Sequence, residues 1–131
     1  MIVRNQKELE ILREGGKRIA AVLNEVAYHA TPGVSARELD ALAEKLILKA
    51  GGKPSFKGYK VRGGPMPFPG SLCVSINDEV VHGLPTDSVL KTGDIVGLDI
   101  GMLWPSVASA KEAGLYTDTA LTVLVGGGKN K

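Results

Sequence analysis

The chain has 131 residues, 44% hydrophobic and 23% charged, a balance that supports one domain with a real core and excludes extensive disorder. Its net charge of +2 comes from 16 basic and 14 acidic residues in no concentrated run, so attraction to nucleic acid or to a membrane surface by bulk charge is excluded. The one cysteine, Cys73, excludes an internal disulfide, and no stretch nears the ~20 apolar residues of a membrane span.

Taken in order, Met1-Ile2-Val3-Arg4-Asn5 leads straight into polar residues. It lacks the apolar run of a secretory leader, so the expected location is the cytoplasm. Asn5, with Glu8 three residues later, reads as a capping box opening a first helix. Leu9, Leu12, Ile19, Val22, Leu23 and Val26 continue at mostly helical spacing. Gly15 and Gly16 interrupt that pattern and predict close packing or a bend. The helix is expected to stop near Thr31-Pro32-Gly33, with His29 in its last turn, where a cation suits the helix dipole. A second box, Ser35 and Glu38, opens a helix whose Leu39, Leu42, Ala43, Leu46 and Ile47 share a face, and Gly51-Gly52 predicts its end.

Beyond Pro54 the texture changes. Residues 63–70 hold three prolines and three glycines, and proline lacks the amide donor that a central strand needs, so this is a loop. Strands are expected at Leu72–Ile76, 80–82, 95–102 and 116–125. Helices followed by a run of strands predict an α+β domain with the helices packed on one face of an antiparallel sheet. Residues 126–131, starting with three glycines, read as a flexible tail. They do not form a phosphate loop, because Asn130 stands where Ser or Thr is needed.

Two carboxylates interrupt apolar strands. Asp99 lies in Ile95-Val96-Gly97-Leu98-Asp99-Ile100, and Asp118 in Tyr116-Thr117-Asp118-Thr119-Ala120. An unpaired buried charge is expensive, so each demands a hydrogen-bond partner, a proton or a cation. If the strands pair, the two side chains share a face, roughly 5 Å apart at Cβ when directly opposed. A divalent cation would relieve their repulsion. The alternative is ordinary: a turn cap or a salt-bridge partner. His82, before Gly83 and Pro85, is a candidate proton-transfer or hydrogen-bonding group, or a satisfied structural histidine. Cys73 reads as a small core residue. Tyr59 and Phe68 flank the Gly/Pro loop and either line an apolar pocket or simply pack.

Together these segments carry a resemblance. Cys73-Val74-Ser75-Ile76-Asn77-Asp78-Glu79-Val80-Val81-His82-Gly83-Leu84-Pro85 and Leu90-Lys91-Thr92-Gly93-Asp94-Ile95-Val96-Gly97-Leu98-Asp99 resemble the signature segments of type I methionine aminopeptidases. The openings Glu10-Ile11-Leu12-Arg13-Glu14-Gly15-Gly16 and Pro32-Gly33-Val34-Ser35-Ala36-Arg37-Glu38-Leu39-Asp40 fit the same family. The likeness runs from about Glu8 to Gly126. It implies that residues 1–131 are one domain, the N-terminal half of a pita-bread fold, with the metal site between two halves. Asp99 and Asp118 match metal ligands, Asp118 bridging two divalent ions (Co, Mn, Fe or Zn). His82 matches the histidine that contacts the scissile peptide. Tyr59, Phe68 and Cys73 sit where the family lines its methionine pocket.

The activity implied is removal of the initiator methionine from nascent polypeptides by metal-activated hydroxide attack on the first peptide bond. Methionyl peptides would be the substrates and the ribosome a candidate partner. The family's remaining ligands, one histidine and two glutamates, are not supplied by these residues. A second half-domain is therefore required, and the chain alone is expected to be inactive. Further departures are extra residues at 60–66 and 104–110, a spacing of nineteen positions between the aspartates, and Thr117 in place of a common glycine. Two alternatives stand beside this reading: a non-catalytic peptide- or ribosome-binding module, and a proline-directed relative.

Overall fold

A computed structural model of the chain describes residues 2–60, 66–107 and 113–127. Two helices come first, α1 at Gln6–His29 and α2 at Ala36–Lys49. Four strands follow: β1 at Lys53–Pro54, β2 at Leu72–Ile76, β3 at Ile95–Trp104 and β4 at Leu115–Leu124.

Both predicted N-caps form, but only the second as a full box, because the Glu8 carboxylate accepts from the Arg4 N–H and the Asn5 side-chain amide instead of the Asn5 backbone. Asn5 accepts from the Glu8 N–H, and Ser35 and Glu38 make a reciprocal capping box. α1 ends at His29, one residue short of the turn that Pro32 and Gly33 enforce, and His29 Nδ1 lies 2.9 Å from the Glu25 carbonyl oxygen. α1 runs unbroken through Gly15 and Gly16, so close packing, not a bend, explains Gly15. It is buried, and a methyl there would sit 3.4 Å from Thr117 Cγ2 and 3.6 Å from Trp104 Cβ.

β3 is the spine of a four-stranded antiparallel sheet. β4 pairs along its whole length on one side, while β2 and the short β1 share the other. Side chains alternate between the faces. Val96, Leu98, Ile100 and Met102 point to the helical side and are 0% exposed. They meet Ile19, Val22, Leu23 and Val26 of α1 and Leu39, Ala43 and Ile47 of α2 in one core. Each such aliphatic side chain contributes about 1.5–3 kcal/mol by leaving water. Both helices therefore cover a single face, as expected for an α+β domain.

The sequence reading needs four corrections. Residues 80–82 form no strand but a strap running to Gly83, whose carbonyl accepts from the Val74 N–H at 3.0 Å. Those residues are too exposed to pack as a half-buried strand: Val80 and Val81 are solvent-facing. β1 was not foreseen, because a two-residue strand leaves no periodicity to read. β3 continues to Trp104, two residues past the predicted end, since β4 offers partners that far. The fourth strand is shifted back by one residue at each end, because Leu115 still pairs with Trp104. The expected tail at 126–131 lies mostly outside the described residues, as do most of the extra loop at 60–66 and the end of the one at 104–110.

Candidate functional site

β3 and β4 settle how the two aspartates meet. Asp99 pairs with Ala120, and Asp118 pairs with Gly101. Asp99 and Gly101 are two positions apart on one strand, so both carboxylates project from the same face, diagonally and not directly opposed. That is the face away from the helices. Asp99 Oδ1 is buried and has no hydrogen-bond partner among the described residues. Asp118 has its pKa raised, first by burial and then by the charge of Asp99. Neither behaves as a turn cap or an ion-pair partner. They are two crowded acidic groups, one with an orphaned buried oxygen, and oxygen donors of this kind suit a hard or borderline divalent ion.

Two cross-strand rows build this face. In one, Cys73 of β2, Asp99 and Ala120 lie side by side. In the next, Gly101 lies between Asp118 and Ser55. Continuing the β1 register places Ser55 there, and its N–H donates to the Gly101 carbonyl at 3.1 Å. A side chain at Gly101 would collide with Ser55 Oγ, lie 2.7 Å from Phe56 Cε1 and reach within 3.3 Å of Asp118 Oδ2. Glycine is thus what lets hydroxyl, ring and carboxylate gather round one point.

Beside these rows opens a cavity of about 820 Å³. Its wall includes Phe56, Tyr59, Phe68, Cys73, His82 and Tyr116. Phe56 and Phe68 meet edge to face, centroids 6.4 Å apart. Two backbone bonds of 2.8 Å, Gly58 N–H to Phe68 O and Phe68 N–H to Tyr59 O, tie the two sides of the Gly/Pro loop into this wall. From behind, α2 braces it. Asp40 Oδ1 accepts from the Ser71 and Leu72 N–H groups at 2.6 and 2.9 Å, and Lys57 pairs with Glu44 at 2.8 Å. Cys73 is 3% exposed, and burial, then the charge of Asp99, pushes its thiol up to about 12. It is a soft apolar wall group, not a nucleophile.

His82 stands between two spaces. It lines the apolar cavity and also a smaller one of about 260 Å³ whose wall includes Ser75, Asp99 and Ala120. Its backbone is left-handed, φ 58°, a conformation costly for a side chain and frequent at functional positions. The turn is held by Gly83, whose N–H donates to Ser75 Oγ at 3.1 Å. Gly83 is pressed so closely on the Val74 carbonyl that no side chain fits there.

The structure therefore brings His82, Tyr59, Phe68 and Cys73 to one cavity; Asp99 neighbours Cys73 and lines the smaller space, while Asp118 lies opposite Gly101, in the row of Ser55. Sequence reasoning missed Ser55, Phe56 and Tyr116. Tyr116 was findable, since two positions from Asp118 on a strand means the same face. Ser55 and Phe56 carried no signal beyond nearness to Tyr59. The carboxylates fit a divalent metal in kind but not in number. Among the described residues no group of three His, Cys, Asp or Glu gathers closely enough to hold one. Nor is any described helix long and apolar enough to cross a membrane.

Comparison with known proteins places this geometry. The sequence pattern of metallopeptidase family M24 matches residues 10–131. Methionine aminopeptidase 1 of Bacillus subtilis is 44% identical over 126 residues, covering 96% of this chain and 45% of that protein. Methionine aminopeptidase of Aquifex aeolicus is 42% identical over 125 residues, covering 95% and 45%. Among solved structures, methionine aminopeptidase from Thermotoga maritima superposes with a TM-score of 0.78 at 36% identity, covering 96% of this chain and 45% of that one. The chain spans about half the length of the curated relatives it matches.

Proposed function

Since the chain belongs to metallopeptidase family M24, whose pita-bread fold it shares in part, we propose that it is the N-terminal half of a methionine aminopeptidase. The observation that carries this is the convergence of Asp99 and Asp118 on one sheet face, in the same cross-strand rows as Cys73 and Ser55 of an aromatic-walled cavity. Every relative named above is a methionine aminopeptidase.

In this reading each residue has a distinct task. The cavity takes the methionine side chain, whose flexible thioether suits aromatic walls and the neutral Cys73 thiol. Tyr59 and Phe68 form its sides. His82, at the join of the two spaces, hydrogen-bonds the scissile peptide and keeps its nitrogen or oxygen facing the carboxylates. Asp99 and Asp118 would help hold two divalent ions, which when bound would supply Lewis acidity to the scissile carbonyl and to water. Catalytic metal sites of this kind need more protein ligands than two aspartates. One histidine and two glutamates from a second half-domain complete the set, and the 131 residues alone turn over negligibly. The substrates are peptides beginning with methionine, nascent chains in the cytoplasm among them, which makes the ribosome a neighbour.

The test uses purified chain with Co²⁺ or Mn²⁺. Expected are metal binding that Asp118→Asn abolishes, binding of L-methioninamide, and no steady hydrolysis of a Met-Gly peptide. Steady hydrolysis by this chain alone would refute the half-site reading. Metal binding undiminished in Asp118→Asn would refute the assignment of the aspartates.

A further inference from the structure

Ser55 has a free hydroxyl beside an open space. Its backbone is fixed by the N–H bond to Gly101, while its Oγ has no hydrogen-bond partner among the described residues. It lines the apolar cavity. Across the bare Gly101 stands Asp118, whose Oδ2 borders the same point as Ser55 Oγ. One end of the space is thus apolar and aromatic. At the other, Ser55 brings a lone-pair donor to the wall, and the Asp118 carboxylate approaches it over Gly101 beside the edge of the Phe56 ring.

That polarity matches one kind of ligand: an apolar side chain attached one carbon from an amine, as at the N-terminus of a peptide. We infer that Ser55 is a ligand-contacting residue whose Oγ accepts a hydrogen bond from the ligand's α-amine. The inference rests on the proposed function for its cavity and goes beyond it in naming what orients the amine. An amine donates up to three N–H bonds. The carboxylate side of the space can take one, and Ser55 takes a second from across Gly101. Two acceptors on opposite sides of the α-carbon fix its rotation, which neither the aromatic walls nor a single charge can do. A ligand with the same side chain but no amine gives Ser55 nothing to accept.

The test is calorimetric titration of the wild-type chain and Ser55→Ala with two probes: L-methioninamide, and 4-(methylthio)butanamide, which lacks only the amine. Ser55→Ala is expected to bind L-methioninamide about tenfold more weakly. It should bind the amine-free amide as wild type does, with an unchanged thermal midpoint. Equal affinity of both proteins for L-methioninamide overturns the role of Ser55 and leaves the cavity assignment standing. An equal loss for both probes also overturns it, because the effect is then packing. If wild type binds neither probe, the cavity assignment falls and Ser55 with it.

Discussion

Asp99 and Asp118 face each other diagonally across the β3–β4 ladder, two residues out of direct register, with Gly101 opposite Asp118 and Ala120 opposite Asp99. Small residues occupy both intervening corners, so nothing shields one carboxylate from the other. Burial first, and then the charge of Asp99, raises the pKa of Asp118. Like charges placed so on a sheet destabilise it by up to about 1 kcal/mol. Metal-free Asp118→Asn is therefore expected to be more stable than wild type by roughly that amount, and to lose the stabilisation that millimolar Mn²⁺ gives wild type. Thermal melts in EDTA and in Mn²⁺ decide it. A less stable Asp118→Asn in EDTA would mean that the carboxylates do not repel.

Asp40 is the brace between α2 and the cavity wall, through its two short bonds to the Ser71 and Leu72 N–H groups. Charge-assisted bonds of this kind are each worth about 1.5–3 kcal/mol. Asp40→Ala should cost about 3 kcal/mol in urea unfolding, and Asp40→Asn, which keeps an acceptor, about half as much. Equal costs for the two would show that packing, not the bonds, matters there.

Thr117 buries its hydroxyl under α1 without a partner among the described residues. A buried orphan polar group is a net cost, and an isosteric apolar replacement removes it. Thr117→Val should raise the unfolding free energy by about 1 kcal/mol. The same chemical-denaturation measurement checks it, and a loss of stability would point to a bond the hydroxyl makes with water.

Acid should weaken the fold through its surface carboxylates. Glu38 is held below its usual pKa first by the Ser35 N–H and then by the Ser35 hydroxyl. Asp94 is lowered first by the Asn77 amide, then by the Lys91 N–H. Asp87 is lowered by Arg37. Each folded pKa lies below its unfolded one, so their stabilisation is complete above about pH 4 and disappears as pH falls through the folded values. Asp118, raised instead, works in the opposite sense, its protonation favouring the folded chain. The denaturation midpoint between pH 6 and 2.5 should fall, and fall less in Glu38→Gln. An identical slope in that variant would remove Glu38 from the account.

Much of this was legible in the residue order because it depends on local physics. Asn5 with Glu8 and Ser35 with Glu38 announce helix starts by hydrogen bonds spanning three residues. The apolar spacing of Ile19, Val22, Leu23 and Val26 announces a one-sided helix. Asp99 and Asp118 announced themselves as charges in apolar strands, which the cost of burial makes conspicuous. What no local pattern held was the register. Whether Asp118 faces Asp99 squarely or two residues away is set by the pairing of whole strands, and a shift of one residue would have turned it to the helical face. Ser55 and Phe56 reach the site because a two-residue strand hydrogen-bonds β3 from the far side, a contact between positions some forty-six residues apart. His82 owes its place to a left-handed turn pinned by Ser75 and Gly83, where sequence pattern alone read a strand. Short-range hydrogen bonds and periodic burial wrote the elements into the sequence; long-range pairing, which sums many weak contacts, decided which of their side chains meet.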